Sequence, residues 1–373
     1  MAMGAASETG LTGLVVDSAR VRVVRVPLAF TLGTSADVVR AVPLVLVDLR
    51  TFGGIVGRAY AFGYTVAGAR AIRAILEEAA ELVRAEPVAP AAVLRTLSRR
   101  YALLGVTGAV RIALSTLDMA LWDALAQALG QPLACVLGAA PRPVAAYDSR
   151  GLGLMEPARL ADEAALLIAS SGLGAVKVRL GHDSLAADIA AVEAVQRSVP
   201  PSVGVMVDYN QALDPAEALR RGHALDGRGL IWLEEPVRHD DLAAAARLAR
   251  ALDLPVQIGE NFNGPSSMAE ALRRGACDLA MPDVTRIGGV TGWIAAAAIA
   301  ETHAVPISSH LMPEISASLL AASATAHWLE WVDWAEAILV DPVRPQGGSL
   351  AAPLRPGSGI AWDEDRIARL EAL

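Results

Sequence analysis

Three short apolar runs, evenly spaced along the chain, each end in a carboxylate. The runs VGVMVD, LIWLE and PVQIGE end at Asp208, Glu234 and Glu260, and consecutive ends are 26 residues apart. About 25 residues is the length of one strand, one helix and two short loops in a parallel α/β barrel. The repeat therefore predicts a closed parallel sheet that brings the three acids to one rim.

Acids at the ends of buried strands need a reason, because burying an unpaired charge is costly. One explanation is that each acid caps the helix that follows its strand. The equal spacing favours another explanation, in which three carboxylates that repel one another share a hard cation. Oxygen ligands in a roughly octahedral site with open positions suit Mg2+. The predicted ligands are therefore Asp208, Glu234 and Glu260.

Strand and helix patterns alternate through residues 139–345. Short apolar segments are separated by helical runs such as 184–199 and 267–276. Eight such units predict an α/β fold with a TIM-type (β/α) barrel, whose functional groups gather at the carboxyl ends of the strands. The predicted strands are 144–147, 175–180, 203–210, 230–236, 255–261, 279–284, 306–310 and 326–331.

Residues 1–138 have a different pattern, which predicts an N-terminal α+β capping domain. Three strand patterns come first and three helical patterns follow, at 19–28, 43–50, 55–62, 67–86, 90–103 and 107–130. Residues 1–12 are expected to be disordered. Residues 30–42 are long for a hairpin connection, which indicates either a flap over a substrate or a merely floppy loop. The Gly- and Pro-rich segment 346–373 is expected to pack back on the capping domain.

Composition argues against several kinds of partner. The net charge is −8 without any basic tract, which argues against nucleic acid. No apolar run approaches the roughly 20 residues that span a bilayer, and the first residues lack a signal-peptide pattern. Cys135 and Cys277 both lie in apolar surroundings, as buried thiols do in a reducing compartment. We therefore expect a cytoplasmic protein with a small-molecule partner.

Polar side chains also stand on other predicted barrel strands. Each alone has a structural explanation: a Lys-x-Arg pair is usually a solvated edge, and a strand-end His or Glu is usually hydrogen-bonded to its surroundings. Together they place cations on one side of the metal and a possible Asp–His pair on the other. The residues are Lys177, Arg179, Asn210, Asp283, His310 and Glu330.

This set is what removal of a proton from the carbon beside a carboxylate requires. Asp283 would orient His310 and raise its basicity. Mg2+ would neutralise part of the charge of the resulting enediolate. Lys177 would face the same carboxylate. Glu330, protonated because its apolar setting raises its pKa, would donate a hydrogen bond to the other oxygen.

The chain resembles the enolase superfamily and, within it, the mandelate racemase subgroup. The matching stretches are AVKVRLG, VGVMVDYNQALD, IWLEEP, PVQIGEN, GACDLAMPDVTRIGGVTGW, ISSHLMPEISA and TAHWLE. The resemblance implies a capping domain over a modified barrel, essential Mg2+, abstraction of the α-proton of a carboxylate, and self-association. It implies the metal ligands named above, Asp283–His310 as the base, Glu330 as the electrophilic acid and Asn210 as a substrate contact.

One departure from the subgroup's pattern concerns the second barrel strand. The racemase pattern there is Lys-x-Lys, whose second lysine is the base on the face opposite the histidine, and this chain has Arg179 instead. Arginine's pKa is above 12, so little neutral base exists at pH 7. Three interpretations remain: a racemase or epimerase of 2-hydroxy acids, favoured by the resemblance; an acid-sugar dehydratase that needs only His310; and a metal-binding barrel without turnover.

The predicted flap provides hints about the substrate. Leu32, Val39 and Leu311 are apolar, as are Ala36, Val38 and Met312, and such a lining suits an aryl or alkyl side chain. Ordinary packing between domains would explain them equally well. Arg40 and Arg150 leave room for a polar or second acidic group.

Overall fold

The computed structural model of the protein describes residues 14–35 and 37–371. The expected disorder of residues 1–12 and the position of Ala36 lie outside this range. An antiparallel sheet of three strands opens the described part, in the order β1 (Val16–Gly33), β2 (Val38–Thr51) and β3 (Val56–Phe62). The middle strand β2 is buried without interruption from Val42 to Leu49, as an apolar strand covered on both faces must be.

The segment 30–42, predicted as either a flap or a floppy loop, forms the end of a β-hairpin. Leu32 pairs with Val39 and Gly33 with Val38, after a register shift that follows Pro27. The alternating and β-branched residues on both sides of the tip favour strand pairing. The flap therefore projects from β1 and β2 as a two-stranded extension of the capping sheet.

Four helices follow: α1 (Val66–Leu82), α2 (Pro90–Arg100), α3 (Gly108–Ala128) and the short α4 (Leu133–Val136). The side chain of Thr65 accepts a hydrogen bond from Gly68 N and so caps α1. Helix α3 is buried on most of its sides, because it packs both against β3 and against helices of the barrel.

The barrel is a curled parallel sheet with helices outside it, in the order β10-β4-β5-β6-β7-β8-β9. The strands are β4 (Pro143–Asp148), β5 (Ala175–Arg179), β6 (Gly204–Asp208), β7 (Leu230–Glu234), β8 (Val256–Ile258), β9 (Leu279–Ala280) and β10 (Leu329–Trp331). The helices are α5 (Pro157–Ser171), α6 (Leu185–Ser198), α7 (Pro215–Leu225), α8 (Leu242–Ala251), α9 (Pro265–Arg273), α10 (Val284–Ile287), α11 (Gly289–Thr302) and α12 (Pro313–Ala321). The predicted modified TIM barrel with its capping domain is confirmed.

The strand predicted at 306–310 is not a regular strand. Single bridges join Ile307 to Ala280 and to Ala326, and His310 to Asp283. Serine hydroxyls take part in the pairing here, since Ser309 Oγ accepts from Glu330 N at 3.2 Å. The segment closes the sheet between β9 and β10 without forming a ladder, because side-chain bonds compete with backbone pairing.

The C-terminal segment packs back on the capping domain, as predicted. It holds β11 (Ser349–Ala351), which runs antiparallel to β4, and α13 (Glu364–Leu370), and a 3-10 turn (Glu336–Ile338) comes before it. The indole of Trp362 donates to Asp48 Oδ1 at 2.9 Å, and Ser358 donates to Asp123. The domain boundaries at 138/139 and 345/346 stay a prediction.

Two buried acids join the capping domain to the barrel. Asp118 on α3 accepts hydrogen bonds from Thr291 N at 2.9 Å and from Thr291 Oγ1 at 2.6 Å, at the start of α11. Glu314 in α12 accepts from the Tyr60 hydroxyl at 2.6 Å. Among the residues that the structure describes, no helix combines the length and hydropathy needed to cross a bilayer.

Candidate active site

The carboxyl ends of β5, β6 and β7 bring three predicted residues into one row. Arg179 is paired in register with Asp208, and Asp208 with Glu234. All three are buried. Neighbouring parallel strands in register place equivalent side chains side by side, which is why the sequence repeat produces a cluster here.

Lys177 lies at the centre of this cluster. Its Nζ is 2.5 Å from Glu234 Oε1, 2.9 Å from Glu330 Oε1 and 3.4 Å from Asp208 Oδ2. Burial alone would lower the pKa of Lys177, but the carboxylates of Glu234 and Glu330 outweigh it and raise that pKa well above its usual value. Lys177 is therefore a buried ammonium rather than a base.

The carboxyl group of Glu234 is held from several sides. The indole of Trp232 donates to its Oε2 at 2.9 Å, and the amide of Gln257 donates to the same oxygen at 3.3 Å. Burial raises the pKa of Glu234 to about 8, and repulsion from Asp208 and Glu330 adds to the effect of burial while Lys177 opposes it. The adjacent Glu235 is also fully buried, which raises its pKa well above the usual value. This part of the site has more negative charge than its own cations balance.

His310 and Asp283 form the pair expected from the strand ends. His310 Nδ1 is 2.7 Å from Asp283 Oδ2, and Asp283 Oδ1 accepts from Thr285 N and from the Thr285 hydroxyl. The other ring nitrogen, Nε2, points into the site, 3.4 Å from Glu260 Oε2. Burial would lower the pKa of His310, but Glu260, Glu330 and Asp283 raise it to about 9.

Glu330 accepts hydrogen bonds rather than donating one. Its Oε1 accepts from Ser149 Oγ at 2.6 Å, beside Lys177, and its Oε2 accepts from Leu311 N at 2.8 Å. Burial would raise the pKa of Glu330, but Lys177 and His310 outweigh burial and lower it. The sequence predicted a protonated acid because the neighbouring side chains of this strand are apolar. In the folded protein two buried cations, Lys177 and His310, lie beside Glu330 and favour its ionised form.

The side chain of Arg179 is hydrogen-bonded mainly to backbone carbonyls. Its Nη1 donates to Ser149 O and Gly151 O, both at 2.9 Å, and its Nη2 donates to Ser149 Oγ at 2.8 Å. The residue is buried, and its Nε has no partner within the described part of the chain. These contacts occupy both terminal nitrogens of Arg179 and fix the loop after β4.

Asn210 and the flap cover the opposite edge of the cluster. Asn210 donates from N and Nδ2 to the carboxylate of Asp208, at 2.7 and 3.0 Å, and leaves its buried Oδ1 without a described partner. In the flap, Ser35 Oγ donates to Asn210 O at 3.2 Å, and Gly33 O accepts from Leu154 N at 2.9 Å. The hairpin thus lies across the ends of β4, β5 and β6.

The apolar residues predicted to contact substrate differ in burial. Leu32 and Leu311 are buried and Val39 is half-buried. Leu311 has a left-handed backbone, with φ of 52°, at the point where the chain turns from His310 into α12. Arg150 is bound to Asp148 and stacks over Trp331 and, in the flap, Phe30, so it is not available as a free cation.

Two family profiles match most of the chain. The profile described as mandelate racemase / muconate lactonizing enzyme, N-terminal domain, matches residues 17–138, and the profile described as enolase C-terminal domain-like matches residues 159–366. The chain belongs to the mandelate racemase/muconate lactonizing enzyme family of the enolase superfamily. The resemblance drawn from its motifs is confirmed.

Solved structures of this family cover nearly the whole chain. An enolase from the alpha proteobacterium BAL199 with bound Mg is 40% identical, with a TM-score of 0.94 over 96% of this chain and 99% of that one. An enolase from Bradyrhizobium complexed with magnesium and mandelic acid is 37% identical, with a TM-score of 0.91 over the same shares. The L-talarate/galactarate dehydratase of Salmonella typhimurium is 29% identical over 87% of this chain and 81% of its own length.

Curated relatives in this family carry out several different reactions. They include dehydratases, cycloisomerases and an epimerase. Family membership therefore gives the class of chemistry, and the particular reaction must be argued from the residues of this chain.

The oxygen donors of this cluster are of the kind that suits a hard divalent cation, but their side chains are not gathered around one point. Within residues 14–35 and 37–371 no group of three or more His, Cys, Asp or Glu side chains is arranged to hold a metal. Instead the Lys177 ammonium lies between Asp208 and Glu234, and Glu260 accepts from Asn261 Nδ2 at 3.1 Å. The raised pKa of Glu234 and the unpartnered Asn210 Oδ1 are features that a cation with oxygen ligands would satisfy.

Several residues of the site were absent from the sequence prediction. Ser149 joins Glu330 to Arg179, and Trp232 and Gln257 orient Glu234. Ser149 follows the first barrel strand directly, so the rule used for the acids would have found it. Trp232 and Gln257 lie within apolar runs and carry no signal of this kind, because their partners are set by packing inside the barrel.

Proposed function

We propose that the protein removes the α-proton of a 2-hydroxycarboxylate with His310 and then expels the β-hydroxyl, as an acid-sugar dehydratase does. The observation that carries this proposal is the contrast between His310, whose Nε2 points into the site, and Arg179, whose guanidinium is bound to backbone carbonyls. Racemisation needs a proton-transfer group on each face of the α-carbon. Elimination needs only one.

Mg2+ would be held by Asp208, Glu234 and Glu260, and it would supply Lewis-acid stabilisation of charge on the substrate carboxylate. Support comes from the oxygen donor set and from the magnesium in the BAL199 and Bradyrhizobium structures. Lys177 already carries its proton and would donate a hydrogen bond to the same carboxylate. Asn210, whose Oδ1 has no described partner, would contact the substrate's hydroxyl.

As a neutral imidazole, His310 would act twice in the proposed reaction. Burial would lower its pKa, but Glu260 and Glu330 raise that pKa to about 9 in the present arrangement, so the fraction of this base form increases with pH. The C–H bond breaks as Nε2 takes the α-proton, and its electron pair forms the enediolate. The C–O bond to the β-hydroxyl then breaks while the same nitrogen returns the proton, so that water leaves and the resulting enol becomes a 2-keto acid. Asp283 keeps Nδ1 protonated and the ring oriented through both steps.

Racemisation or epimerisation remains a second candidate. The Bradyrhizobium structure is complexed with mandelic acid, an aryl 2-hydroxy acid without a β-hydroxyl to expel. The buried Leu32 and Leu311 would suit such a side chain. Glu330 as a proton donor belongs to this candidate as well, and it would require a proton that Lys177 and His310 disfavour in the present arrangement.

Incubation in D2O with Mg2+ separates these possibilities. We expect acid sugars to yield 2-keto acids, and only one enantiomer of mandelate to exchange its α-proton without inversion, as followed by NMR. Equal inversion of both enantiomers would refute the one-base proposal. Chelation of Mg2+ by EDTA should abolish all exchange. Absence of exchange with every acid, despite tight Mg2+ binding, would indicate a barrel without turnover.

We also infer self-association and a cytoplasmic location, as the family resemblance and the composition indicate. Light scattering coupled to size exclusion tests the first, and a mass of 38.7 kDa, that of a single chain, would contradict it. Fractionation of the source cells tests the second.

A further inference from the structure

The loop after β4, residues 149–154, contacts both the flap and the active site. Its sequence is SRGLGL, and residues 151–153 in its middle are buried. A buried loop must place its backbone polar groups on specific partners, because water cannot satisfy them. Those partners lie on the flap, on β5 and on α5, so the loop connects elements that are far apart in the sequence.

The end of the loop packs against the flap where two stretches of backbone cross. Leu154 N donates to Gly33 O at 2.9 Å. A Cβ atom at Gly153 would lie 2.8 Å from Gly33 Cα and closer still to Gly33 N and O. The φ of Gly153 lies outside the positive region, so the close approach alone requires a glycine there. The flap therefore lies where it does because residue 153 has no side chain.

A stacked side chain makes a second contact between the loop and the flap. The guanidinium of Arg150 lies 5.3 Å from the centre of the Phe30 ring and 4.2 Å from that of Trp331. The carboxylate of Asp148 accepts from Arg150 Nε at 3.0 Å and from Nη2 at 2.8 Å. Phe30 of the flap thus packs on a cation that the first and last barrel strands hold in place.

Arg179 on β5 holds the other side of the same loop. Its Nη1 donates to Ser149 O and Gly151 O, and its backbone N donates to Leu152 O, all at 2.9 Å. Leu152 has a left-handed φ of 46°, and its N donates to Glu163 Oε1 at 2.6 Å. Hydrogen bonds from a charged donor are roughly twice as strong as neutral ones. The conformation of the loop therefore depends strongly on Arg179.

The first residue of the loop carries the hydroxyl that binds Glu330. Ser149 Oγ donates to Glu330 Oε1 at 2.6 Å and accepts from Arg179 Nη2 at 2.8 Å. A shift of the loop would therefore move a hydrogen-bond partner of Glu330. The flap and Glu330 contact two ends of one short loop, and Arg179 is bound between them.

We propose that Arg179 is a positioning residue that, through the loop after β4, couples the position of the flap to the orientation of the Glu330 carboxylate. The proposal rests on the function proposed above only in that the substrate lies beside Lys177 and Glu330. Coupling is reciprocal, so that a change at either end alters the other. Displacing the flap should disturb Glu330, and loss of Arg179 or of the Ser149 hydroxyl should loosen the flap.

Hydrogen–deuterium exchange, followed by mass spectrometry on residues 30–35, tests the support of the flap and needs no substrate. Arg179→Met should accelerate this exchange by roughly 10- to 100-fold, the effect of losing hydrogen bonds from a charged group. Arg179→Lys keeps a donor and should retain part of the protection. Ser149→Ala should accelerate exchange by a smaller factor. A loss of overall stability alone would instead act at least as strongly on the buried residues 42–49 of β2.

A double-mutant cycle tests the connection to Glu330. The rate of α-proton exchange at saturating acid is measured for wild type, Gly153→Ala, Ser149→Ala and the double variant. Gly153→Ala overpacks the crossing and should lower the rate. Ser149→Ala removes the hydroxyl but keeps the carbonyl that Arg179 binds. In that background the fold-loss caused by Gly153→Ala should be smaller by roughly 3-fold or more, because the route from the flap to Glu330 is already broken.

Two further variants separate coupling from general damage. Gly174→Ala adds a methyl group to a glycine that also lacks a positive φ and has open space around its Cβ position, and it should leave both kinds of exchange at the wild-type rate. Phe30→Leu removes the ring from Arg150 without adding atoms at the crossing. It should act in the same direction as Gly153→Ala and replaces that variant in the cycle if Gly153→Ala does not fold.

Wild-type exchange of residues 30–35 in Arg179→Met or in Ser149→Ala would overturn the proposal. Additive effects of Gly153→Ala and Ser149→Ala on the α-proton rate would overturn it as well, since the flap and Glu330 would then act independently. If no acid exchanges its α-proton, the function proposed above fails. Faster exchange of residues 30–35 in both Arg179→Met and Ser149→Ala would still support the coupling in that case.

Discussion

The two faces of the barrel mouth each carry a basic side chain, His310 on one and Arg179 on the other, and these side chains make different contacts. On one face His310 makes a single strong contact through Nδ1, to Asp283, and its other nitrogen points into the site. On the other face Arg179 is bound to two backbone carbonyls and a hydroxyl. A group that exchanges protons must direct an atom at the substrate, and of these two side chains His310 directs Nε2 into the site while Arg179 directs both terminal nitrogens at the loop after β4.

The contrast also shows how position in the fold changes the role of a charged residue. Lys177 and Arg179 stand two residues apart on β5, yet the first contacts only side chains of the site and the second mainly backbone. Lys177 neutralises carboxylates at the centre. Arg179 holds the loop after β4, which carries Ser149, and Ser149 in turn binds Glu330. The second face therefore has a structural role, which is to support the loop that carries Ser149.

Removing the imidazole should have the largest effect on this comparison. His310→Asn keeps a polar side chain but removes the base, and it should lower α-proton exchange by roughly 100- to 10,000-fold. Deuterium incorporation followed by NMR measures the loss. His303→Asn is the control, since His303 is exposed at the end of α11. Exchange near the wild-type rate in His310→Asn would place the base elsewhere.

Replacing the arginine tests the other face. Arg179→Lys supplies an amine that can lose its proton, so the opposite enantiomer of mandelate should begin to exchange. The free energy of unfolding of this variant should also be lower by about 1–3 kcal/mol, because lysine cannot reach both carbonyl acceptors. Chemical denaturation and NMR measure the two effects.

Arg179→Met serves as the matched variant for that experiment. It should lose a similar amount of stability and gain no exchange, because it offers no base. If the wild type already exchanges both enantiomers, the supporting role assigned to the second face would be wrong. If Arg179→Lys exchanges only one, a lysine at this position cannot reach the α-carbon as a base.

Asp118→Asn, a substitution far from both faces, should change the free energy of unfolding without changing which enantiomer exchanges its α-proton. Burial raises the pKa of Asp118 to about 7, although hydrogen bonds from Thr291 oppose the shift. Because the folded state then binds a proton that the unfolded state has lost, stability present at pH 4 declines as pH rises towards 7. Asp118→Asn cannot ionise and should avoid this loss, which is on the order of 2–4 kcal/mol.

Urea unfolding at several pH values between 4 and 8 measures this difference. The free energy of unfolding of Asp118→Asn, relative to wild type, should increase with pH up to about 7 and then level off. Asp162→Asn, at an exposed position on α5, should follow the wild type throughout. Parallel curves for Asp118→Asn and wild type would show that Asp118 is ionised in the folded protein.

Much of the fold could be predicted from local pattern. The spacing of the acidic strand ends, the alternation of strands and helices in the barrel, and the three strand patterns followed by three helical patterns before it lead to a capped barrel, and the same strand-end rule finds His310 and Asp283. The rule was less successful where side chains bond to the backbone. Serines at 308 and 309 reduce the seventh strand to single bridges, and strand pairing through Leu32 and Val39 turns the expected loop into a hairpin.

The sequence by itself determined which chemical groups stand at the carboxyl ends of the strands, because the period of a strand and the length of a βα unit are local properties. Only the tertiary structure decided what those groups contact. Arg179 meets carbonyls about 30 residues earlier, Glu330 meets two cations from other strands, and Arg111 of the capping domain reaches the barrel loops. Charge and proton affinity depend on such distant neighbours, and the linear order of residues does not specify them.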